Sequence, residues 1–425
     1  MIERGATGLV VGLGRSGVAL ATHLHRAGVR VRVCDQRSAG DLEPMIARLP
    51  EGCDLRLGGS DDAVLEGCSA VFASPGVPWD SPLLELARGR GLAVSSEIDL
   101  FFRECPGDII GVTGTNGKTT TTAMIGSVLE HAERPVMVGG NIGTTVLDRL
   151  PEVTAEHWVV LELSSFQLES VERPAPRVGV ILNITPDHLD RHRTLERYID
   201  AKARLIEFQT GSDFAVLNGA DPLTAALASR TRAEVRYFDR HTPVPRVSIP
   251  GAHNVQNALA AAAVGRIAGL DEAAIESAIA SFQGVEHRIE LVGEWLGVRW
   301  YNDSKATNPD AGRVALAAFP DQDLVLIAGG YGHMDIDGWA EDVRRRARAV
   351  VLLGASAPEV EERLAGHPAL ERAADLEDAV RRAAALARPG GLVLLSPAYK
   401  SFDMFQSFED RGRRFKEAVR MLQSR

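Results

Sequence analysis

Short apolar runs alternate with helix-like stretches along the whole chain. The first two runs, at residues 9–11 and 29–34, enclose a helical pattern at 18–27. The alternation recurs in the middle of the chain, with a run at 158–163, and near its end, with a run at 324–328. Because apolar strands separated by helices assemble into parallel sheets, the pattern predicts an α/β protein of the doubly wound type.

The length of the chain and the spacing of these runs predict three domains. A chain of 425 residues is longer than one ordinary domain. We place a Rossmann-like domain at residues 1–96 and a central P-loop domain with a mostly parallel sheet at 97–284. A second Rossmann-like domain follows at 285–425.

Composition narrows the classes of function. The formal net charge of −10 argues against a nucleic-acid-binding surface. No apolar run approaches the ~20 residues that span a bilayer, and the N-terminus lacks the hydrophobic core of a signal peptide. The four cysteines show no CxxC pairing, which favours reduced thiols over disulfides or a metal site. We therefore expect a cytoplasmic protein that acts on small molecules, without membrane insertion. We also expect a monomer, although composition does not bear on the oligomeric state.

A glycine-rich loop stands between a predicted strand at 109–112 and a helical stretch at 124–131. Backbone N–H groups in such a turn, and the positive end of the next helix, attract phosphate oxygens. In this pattern the lysine reaches the β- and γ-phosphates, and the hydroxyl that follows it coordinates Mg²⁺. Val112 takes the place of the first glycine of the strict pattern, so the loop is a variant. Its residues are Gly114, Thr115, Asn116, Gly117, Lys118, Thr119 and Thr120.

A second glycine-rich turn follows the first predicted strand. Gly12, Gly14 and Gly17 form a GxGxxG pattern, and Asp35 ends the second strand, as in a Rossmann fingerprint. This pattern indicates a phosphate-tolerant turn, but it does not distinguish NAD from another nucleotide. A Ser-Pro-Gly turn at 74–76 follows another apolar run, at the end of a strand where parallel sheets place ligand-facing loops.

Polar residues also mark the ends of predicted strands in the middle domain. A Gly-Gly-Asn-Ile-Gly cluster at 139–143 follows one strand. Glu162 lies in an otherwise apolar strand, where a charge is costly unless it is paired or bound to a metal. His188 lies in a loop just after a strand, and Lys202 lies on the helical stretch 195–208. Spacing alone favours a solvated side chain for Lys202.

Together these strings resemble the Mur ligase family, the ATP-dependent amino-acid ligases of peptidoglycan precursor synthesis. The resemblance extends over the whole chain and includes the variant phosphate loop. The strings at 162–169, 302–308 and 394–398 are close to those of the D-glutamate-adding members of the family. The opening glycine turn, with Asp35 and Arg37, is close to them as well.

The resemblance implies roles for the middle-domain residues. Lys118 would hold the β- and γ-phosphates, while Thr119 and Glu162 would coordinate a first Mg²⁺. His188 would bind a second Mg²⁺ together with Lys202, which in this family is carbamylated on its side-chain nitrogen. A carbamate supplies anionic oxygen ligands of the kind that Mg²⁺ prefers, whereas an ammonium group would repel the ion.

The resemblance also assigns the other candidate residues to ATP and to the two further substrates. The residues implied for the nucleotide are His253, Asn254, Asn257, Arg288 and Asp303, the last of them on the ribose. The residues implied near the acyl phosphate and the incoming glutamate are Asn141, Lys305, Thr307, Ser401 and Phe408. The residues implied for the uridine diphosphate are Gly14, Arg15, Ser16, Asp35, Gln36, Arg37, Ser74, Pro75 and Gly76.

The implied reaction joins glutamate to UDP-N-acetylmuramoyl-L-alanine. The carboxylate of the alanine attacks the γ-phosphate of ATP, which gives an acyl phosphate and ADP. The glutamate amine then attacks the acyl carbon and expels phosphate. Two Mg²⁺ ions and Lys118 would neutralise the accumulating charge, and tight positioning would supply much of the remaining rate. Because the implied nucleotide ligands come from two domains, domain closure is an expected requirement.

One residue departs from the family pattern. His333 stands where D-glutamate ligases commonly have a lysine that pairs with a glutamate carboxylate. A neutral histidine can still donate a hydrogen bond, but its charge pairing weakens near pH 7. The departure leaves three possibilities open: a pocket rebuilt around His333, compensation by another cation such as Lys400, or L-glutamate or another amino acid as the substrate.

Two alternatives belong to other classes of function. The GxGxxG turn and Asp35 alone would fit an NAD-dependent dehydrogenase, which leaves the phosphate loop, Glu162 and Lys202 without a role. A non-catalytic nucleotide-binding protein would be favoured if the metal ligands implied by the resemblance were missing. All of those residues are present in the sequence.

Overall fold

The computed structural model describes residues 2–59, 62–141, 145–239 and 246–422 of the chain. Residues 142–144, which include part of the predicted Gly-Gly-Asn-Ile-Gly cluster, lie outside the described residues. The chain forms two compact units. One comprises Met1–Pro245 and Gln256–Ile279, and the other comprises Arg246–Val255 and Ala280–Arg425. Within the described ranges, no helix has both the length and the apolar character needed to cross a membrane.

The first predicted domain contains a parallel sheet of five strands. The strands are β1 (Thr7–Val11), β2 (Arg30–Asp35), β3 (Asp54–Leu57), β4 (Ala70–Ala73) and β5 (Ala93–Ser96). The helices of this part of the chain are α1 (Arg15–Arg26), α2 (Ala39–Ile46), α3 (Pro82–Gly89) and α4 (Glu97–Glu104). The strand order β3-β2-β1-β4-β5 places the first strand at the centre and follows the first five positions of the Rossmann order.

The middle sheet has six strands, all of them parallel. They are β6 (Asp108–Thr113), β7 (Val136–Gly140), β8 (Trp158–Glu162), β9 (Val178–Ile181), β10 (Phe214–Asn218) and β11 (Glu234–Phe238). The helices are α5 (Lys118–Leu129), α6 (Val146–Arg149), α7 (Ser165–Glu169), α8 (Leu189–His192), α9 (Leu195–Glu207), α10 (Pro222–Ala226), α11 (Ala252–Ile267) and α12 (Glu272–Ser281). The order is β11-β10-β9-β6-β8-β7, so β6, which leads into the phosphate loop, is central.

The third sheet is mostly parallel but begins with an antiparallel hairpin. Its strands are β12 (Glu290–Trp295), β13 (Val298–Asn302), β14 (Leu324–Ala328), β15 (Ala347–Leu352), β16 (Leu370–Arg372) and β17 (Leu392–Leu395). Its helices are α13 (Pro309–Ala317), α14 (Asp337–Arg346), α15 (Ala357–Arg363), α16 (Leu376–Leu386) and α17 (Phe408–Met421). In the order β12-β13-β17-β14-β15-β16, only the β12–β13 pair is antiparallel among the described strands.

The first two sheets share one apolar core. Ile98, Leu100 and Phe101 on helix α4 are buried in the same cluster as Leu20 of α1 and Leu161 of β8. Helix α4 therefore joins the cores of the two sheets, which explains why both belong to the same compact unit. The predicted α/β fold with mostly parallel sheets is confirmed, while the exact domain boundaries remain predictions.

Two elements differ from the pattern-based expectation. Helix α5 begins at Lys118, directly after the glycine loop, and not at residue 124. Gly117 has φ of 84°, a left-handed conformation that ends the loop and starts the helix, so the threonines that follow are helical. The β12–β13 hairpin was not predicted, because β12 is a half-exposed edge strand without an apolar run.

The turn between β1 and α1 depends on its glycines. Gly12 has φ of 89°, a conformation that glycine adopts without strain. A Cβ atom on Gly17 would lie 2.1 Å from the carbonyl oxygen of Gly12, whereas a Cβ on Gly14 would meet no atom within 4 Å. The close approach of α1 to the turn therefore excludes a side chain at position 17 but tolerates one at position 14.

We expect Gly17→Ala to destabilise the first unit by roughly 2 kcal/mol or more, because the methyl group must displace backbone atoms. Gly14→Ala is the matched control in the same turn, and it should change stability by less than about 0.5 kcal/mol. Urea unfolding followed by circular dichroism measures both effects. Equal stability of the two variants would contradict the close approach of Gly17 to Gly12.

Candidate active site

The predicted uridine diphosphate residues gather at one edge of the first sheet. Gly14 is the N-cap of α1, so Arg15 and Ser16 lie in the first turn of that helix. Asp35 ends strand β2, immediately before Gln36 and Arg37 in the sequence. The Ser-Pro-Gly turn directly follows strand β4. Because β2, β1 and β4 are neighbouring parallel strands, their carboxyl ends bring the whole predicted set to one place.

The Asp35 carboxylate organises this edge of the sheet. It accepts hydrogen bonds from the backbone N–H of Leu13 at 2.7 Å and from Nη2 of Arg37 at 2.8 Å. The hydrogen bonds from Arg37 lower the pKa of Asp35 to about 2, against the opposing effect of burial. The Ser74 hydroxyl donates to the carbonyl oxygen of Gly12 at 2.6 Å. The turns after the three strands are therefore tied to one another.

In the middle domain, the phosphate loop is shaped around Gly117. A Cβ atom at this position would lie 2.4 Å from Oδ1 of Asn257, in addition to the strain of its positive φ. The same oxygen accepts a hydrogen bond from the Thr121 hydroxyl at 3.0 Å. Asn257 of α11 thus packs closely against the loop end, next to the first turn of helix α5.

The loop is also held from the neighbouring strand end, through Asn183. The backbone N–H of Asn116 donates to Oδ1 of Asn183 at 2.8 Å, and the N–H of Thr115 donates to its carbonyl oxygen at 2.9 Å. The Lys118 ammonium folds back onto the loop, where it donates to the carbonyl oxygens of Gly114 and Thr115 at 2.9 and 2.8 Å. Phosphate oxygens would compete with these carbonyls for the lysine.

Glu162 lies at the end of β8, beside β6, and only 3% of its surface is exposed. Its Oε1 accepts a hydrogen bond from Nδ2 of Asn141 at 3.2 Å. Its Oε2 is buried and finds no hydrogen-bond partner among the described residues. A buried anionic oxygen of this kind is costly unless a cation or donor satisfies it. The site therefore fits a Mg²⁺ ion, with Thr119 buried in the first turn of α5.

Lys202 is buried, which contradicts the solvated side chain favoured by spacing alone. Its exposed fraction is 1%, because it shares the inward face of α9 with Tyr198 and Ile206. Its Nζ donates to the carbonyl oxygen of Gly114 at 2.8 Å and lies 4.6 Å from the centre of the Tyr198 ring. Burial, with a further contribution from Lys118, lowers the pKa of Lys202 well below its ordinary value.

His188 adopts a left-handed backbone conformation, with φ of 51°, as the N-cap of α8. Its ring is half exposed and lies 5.0 Å from the ring of Phe166, between ring centres. Across the described ranges, no group of three or more His, Cys, Asp or Glu side chains is arranged to hold a metal. A metal at this site would therefore depend on Thr119, on phosphate oxygens and on a modified Lys202 as additional ligands.

The other predicted nucleotide residues divide between the units. Asn257 belongs to the first unit, whereas His253 and Asn254 are grouped with the second. Nδ2 of Asn254 donates to the carbonyl oxygen of Pro250 at 2.6 Å. Burial lowers the pKa of His253, and the positive charge of Arg288 lowers it further.

In the second unit, Asp303 is fully enclosed after strand β13. Its carboxylate accepts hydrogen bonds from the Ser396 hydroxyl at 2.8 Å and from the backbone N–H of Ile289 at 3.2 Å. Burial raises the pKa of Asp303 to about 7, although the Ser396 hydroxyl and the Arg288 guanidinium oppose the shift.

Arg411, on α17, connects the string at 302–308 to the residues that directly follow the string at 394–398. Its Nε donates to the hydroxyl of Ser304 at 2.9 Å, and its Nη1 donates to the carbonyl oxygen of Tyr399 at 3.2 Å. Lys305 lies with its Nζ 5.8 Å from the centre of the Phe408 ring. The structure thus brings together the segments that carry Lys305, Thr307, Ser401 and Phe408.

His333 does not belong to this cluster. Its side chain is 96% exposed, and its Nδ1 lies 3.0 Å from a carboxylate oxygen of Glu359 on α15. The backbone of Lys400, by contrast, pairs with Tyr331 in an isolated bridge.

Three family models match this chain, one in each of the three predicted domains. The Mur ligase MurD-like N-terminal domain matches residues 6–96, the Mur ligase middle domain matches residues 112–244, and the Mur ligase glutamate ligase domain matches residues 287–399. The chain belongs to the Mur ligase family. The resemblance is thereby confirmed, and the GxGxxG turn belongs to a Mur ligase N-terminal domain and not to a dehydrogenase.

Two Mur ligase relatives match over almost their full length and carry the same name. The UDP-N-acetylmuramoylalanine--D-glutamate ligase of Solibacter usitatus is 43% identical over 99% of each chain. That of Acidobacterium capsulatum is 40% identical over 98% of this chain and 96% of the relative.

Solved Mur ligase structures share the fold at low sequence identity. The UDP-N-acetylmuramate-alanine ligase of Thermotoga maritima has a TM-score of 0.60 at 22% identity, and the match covers 99% of this chain and 100% of that one. The MurF ligase of the same organism, in complex with ADP, has a TM-score of 0.59 at 18% identity. That match covers 97% of this chain and 98% of the MurF chain.

Sequence reasoning missed two residues that organise this Mur ligase site. Asn183 lies five residues before His188 and was assigned no role from the sequence, although its side chain holds the phosphate loop. Arg411 lay on a helix rich in charges, where a solvated arginine is the ordinary expectation. A signal for Arg411 was the glycine that follows it, since Gly412 has no room for a side chain against His287.

We expect Asp303→Asn to stabilise the second unit at pH 8 but not at pH 4. The pKa of Asp303 is about 7 in the folded protein, which is higher than in the unfolded chain. The free energy of unfolding therefore falls as pH rises between these two pKa values, and it stays low above pH 7. Asparagine does not titrate, so the variant should gain on the order of 3 kcal/mol over the wild type at pH 8. Urea unfolding followed by tryptophan fluorescence, which reports on buried Trp300 and Trp339, measures the difference. An equal difference at both pH values would contradict the raised pKa.

Proposed function

We propose that this Mur ligase joins D-glutamate to UDP-N-acetylmuramoyl-L-alanine with ATP, in peptidoglycan precursor synthesis. The observation that carries the ligase chemistry is the position of Glu162 and Lys202 beside the phosphate loop. Glu162 offers a buried carboxylate oxygen without a hydrogen-bond partner among the described residues, and Lys202 offers a buried amine whose pKa is lowered. The choice of D-glutamate is supported by the names of the relatives that match the whole chain.

The phosphate loop binds the triphosphate of ATP in this proposal. Backbone N–H groups at the start of α5 and the positive end of that helix attract the phosphate oxygens. Lys118, which contacts loop carbonyls in the structure, would turn to the β- and γ-phosphates. When bound, two Mg²⁺ ions would polarise the phosphates and neutralise their charge. Thr119, Glu162, His188 and carbamylated Lys202 would hold them.

Carbamylation of Lys202 is the finer part of the proposal. The lowered pKa favours the neutral amine over the ammonium form, and the lone pair of the neutral amine can attack the carbon of CO₂. The nitrogen forms a bond to that carbon and releases a proton to solvent, which leaves a carbamate anion. The change places one negative charge, shared by two carbamate oxygens, close to Lys118, and oxygens of this kind are the ligands that Mg²⁺ prefers.

The reaction then has two steps. The carboxylate of the substrate's alanine attacks the γ-phosphorus, and the bond to the bridging oxygen of ADP breaks. The glutamate amine attacks the acyl carbon of the resulting acyl phosphate, loses a proton and expels phosphate. Lys118 stabilises the phosphoryl charge in the first step. Asn141, whose Nδ2 already contacts Glu162, would orient the acyl group.

The first domain would hold the uridine diphosphate of the substrate. The first turn of α1 contains no acidic residue of its own, so its backbone N–H groups present a positive helix end to the diphosphate. Arg37 has an exposed guanidinium at the same edge and is kept there by Asp35. We further propose that the enzyme is monomeric and acts in the cytoplasm, where ATP and nucleotide sugars are available.

Phosphate release with ATP, Mg²⁺ and UDP-N-acetylmuramoyl-L-alanine tests this function when D-glutamate and L-glutamate are offered in parallel. We expect release with D-glutamate only. Release with L-glutamate only would retain the ligase mechanism and reassign the specificity around His333. No release with either amino acid would contradict the proposed function.

We expect Lys202→Ala to lose at least about 100-fold in turnover, because an oxygen ligand of the metal is removed. Added formate or acetate should restore part of the activity, since a small carboxylate can occupy the space of the carbamate. Lys118→Ala is the matched control, because it lacks a cation that no carboxylate can replace. Failure of both carboxylates to rescue Lys202→Ala would contradict the carbamate.

A further inference from the structure

A buried histidine outside the predicted site has contacts that none of the assigned roles uses. Nε2 of His192 lies 2.9 Å from Oγ of Ser165, and its Nδ1 lies 3.0 Å from Oε1 of Glu169. Its ring stacks on Phe166, with 5.3 Å between ring centres and 15° between planes. Ser165 and Glu169 are the first and last residues of α7. His192 therefore contacts both ends of this short helix, by a hydrogen bond at Nε2 and by a close approach of Nδ1 that lacks hydrogen-bond geometry.

The cluster has the residue types of a serine hydrolase triad but not its accessibility. In such enzymes the serine oxygen faces a substrate cleft. Ser165 has only 3% of its surface exposed, and its hydroxyl is hydrogen-bonded within the helix–histidine contact. No acyl group can reach that oxygen, so nucleophilic catalysis does not explain the cluster.

His192 contacts two of the segments that carry the proposed metal ligands. Helix α7 follows strand β8, which ends at Glu162, so the two contacts with α7 restrain the chain just beyond that carboxylate. The backbone N–H of His192 donates to the carbonyl oxygen of His188 at 2.9 Å, across the single turn of α8. That backbone bond places the His192 ring one helical turn after His188, the N-cap of α8.

Tyr198 connects His192 to the third segment, the part of α9 that carries Lys202. The rings of His192 and Tyr198 are 5.2 Å apart between centres. The Tyr198 hydroxyl lies 3.1 Å from Oγ1 of Thr115 in the phosphate loop, and the Nζ of Lys202 lies over the Tyr198 ring. The imidazole thus contacts α7, which follows Glu162, and Tyr198, which lies one turn before Lys202, while its own backbone belongs to the short helix that begins after His188.

We propose that His192 is a positioning residue that fixes the three metal-binding segments relative to one another. The inference rests on the proposed function, since it assumes that Glu162, His188 and Lys202 hold Mg²⁺. Groups behind the ligands set the orientation of those ligands, and their loss typically weakens metal binding. A histidine suits this place because its two nitrogens can contact both ends of α7 while its flat ring packs between Phe166 and Tyr198.

The test measures Mn²⁺ binding to the full chain by electron paramagnetic resonance, with a non-hydrolysable ATP analogue present. His192→Phe keeps a stacked ring and removes both polar contacts. We expect its Mn²⁺ dissociation constant to rise about tenfold, and that of Ser165→Ala to rise less. His131→Phe, at an exposed histidine just beyond α5, is the control and should bind Mn²⁺ as the wild type does.

The Mg²⁺ concentration for half-maximal ligase activity should rise by the same factor, while the KM for the uridine diphosphate substrate stays unchanged. A purely structural role would lower the amount of folded protein without this selective shift. Unchanged Mn²⁺ affinity in folded His192→Phe would overturn the proposal. If that variant does not fold, Ser165→Ala and Glu169→Gln decide in the same way. A wild type that binds Mn²⁺ but releases no phosphate would contradict the proposed function and leave the metal measurement valid.

Discussion

Two lysines donate to the same carbonyl oxygen, that of Gly114 at the start of the phosphate loop. Lys118 reaches it at 2.9 Å from the first turn of α5, and Lys202 reaches it at 2.8 Å from α9. Two ammonium groups around one oxygen repel each other, and burial strengthens that repulsion. The arrangement is relieved only if one cation moves away, loses its proton or is chemically changed. The chemistry of the site follows from this constraint.

The surrounding structure can be understood as support for that crowded loop. Asn183 holds the loop from one side, and Asn257 fills the space opposite Gly117. Glu162 lies at the neighbouring strand end, where its buried negative charge complements the two cations. A rigid loop cannot separate the lysines by moving its own backbone. A phosphate group that draws Lys118 away, and a modification that neutralises Lys202, would each relax the site.

The sequence predicted those parts of the site that depend on local pattern. The phosphate loop, the GxGxxG turn and the strand-end position of Glu162 follow from neighbouring residues, and the structure shows each after or at the end of its strand, although α5 already begins at Lys118. Lys202 was misjudged because its burial depends on how α9 packs, and helical spacing cannot distinguish an inward lysine from an outward one without that packing. Asn183 and Arg411 were missed for the same reason, since their partners are distant in the chain.

The enclosure of Lys202 also determines which reagents can reach it. A side chain with 1% exposure admits only small, uncharged molecules, and an amine of low pKa reacts with electrophiles. The enclosure therefore limits the size of a reagent that reaches this nitrogen, and the lowered pKa makes the nitrogen reactive. The charged lysine and arginine side chains of the surface have neither property. Carbon dioxide is small and uncharged and reacts with an amine, whereas bulky acylating reagents are too large to reach the nitrogen. Carbamylation as proposed would thus need no second enzyme to recognise the position, because the fold itself selects the amine.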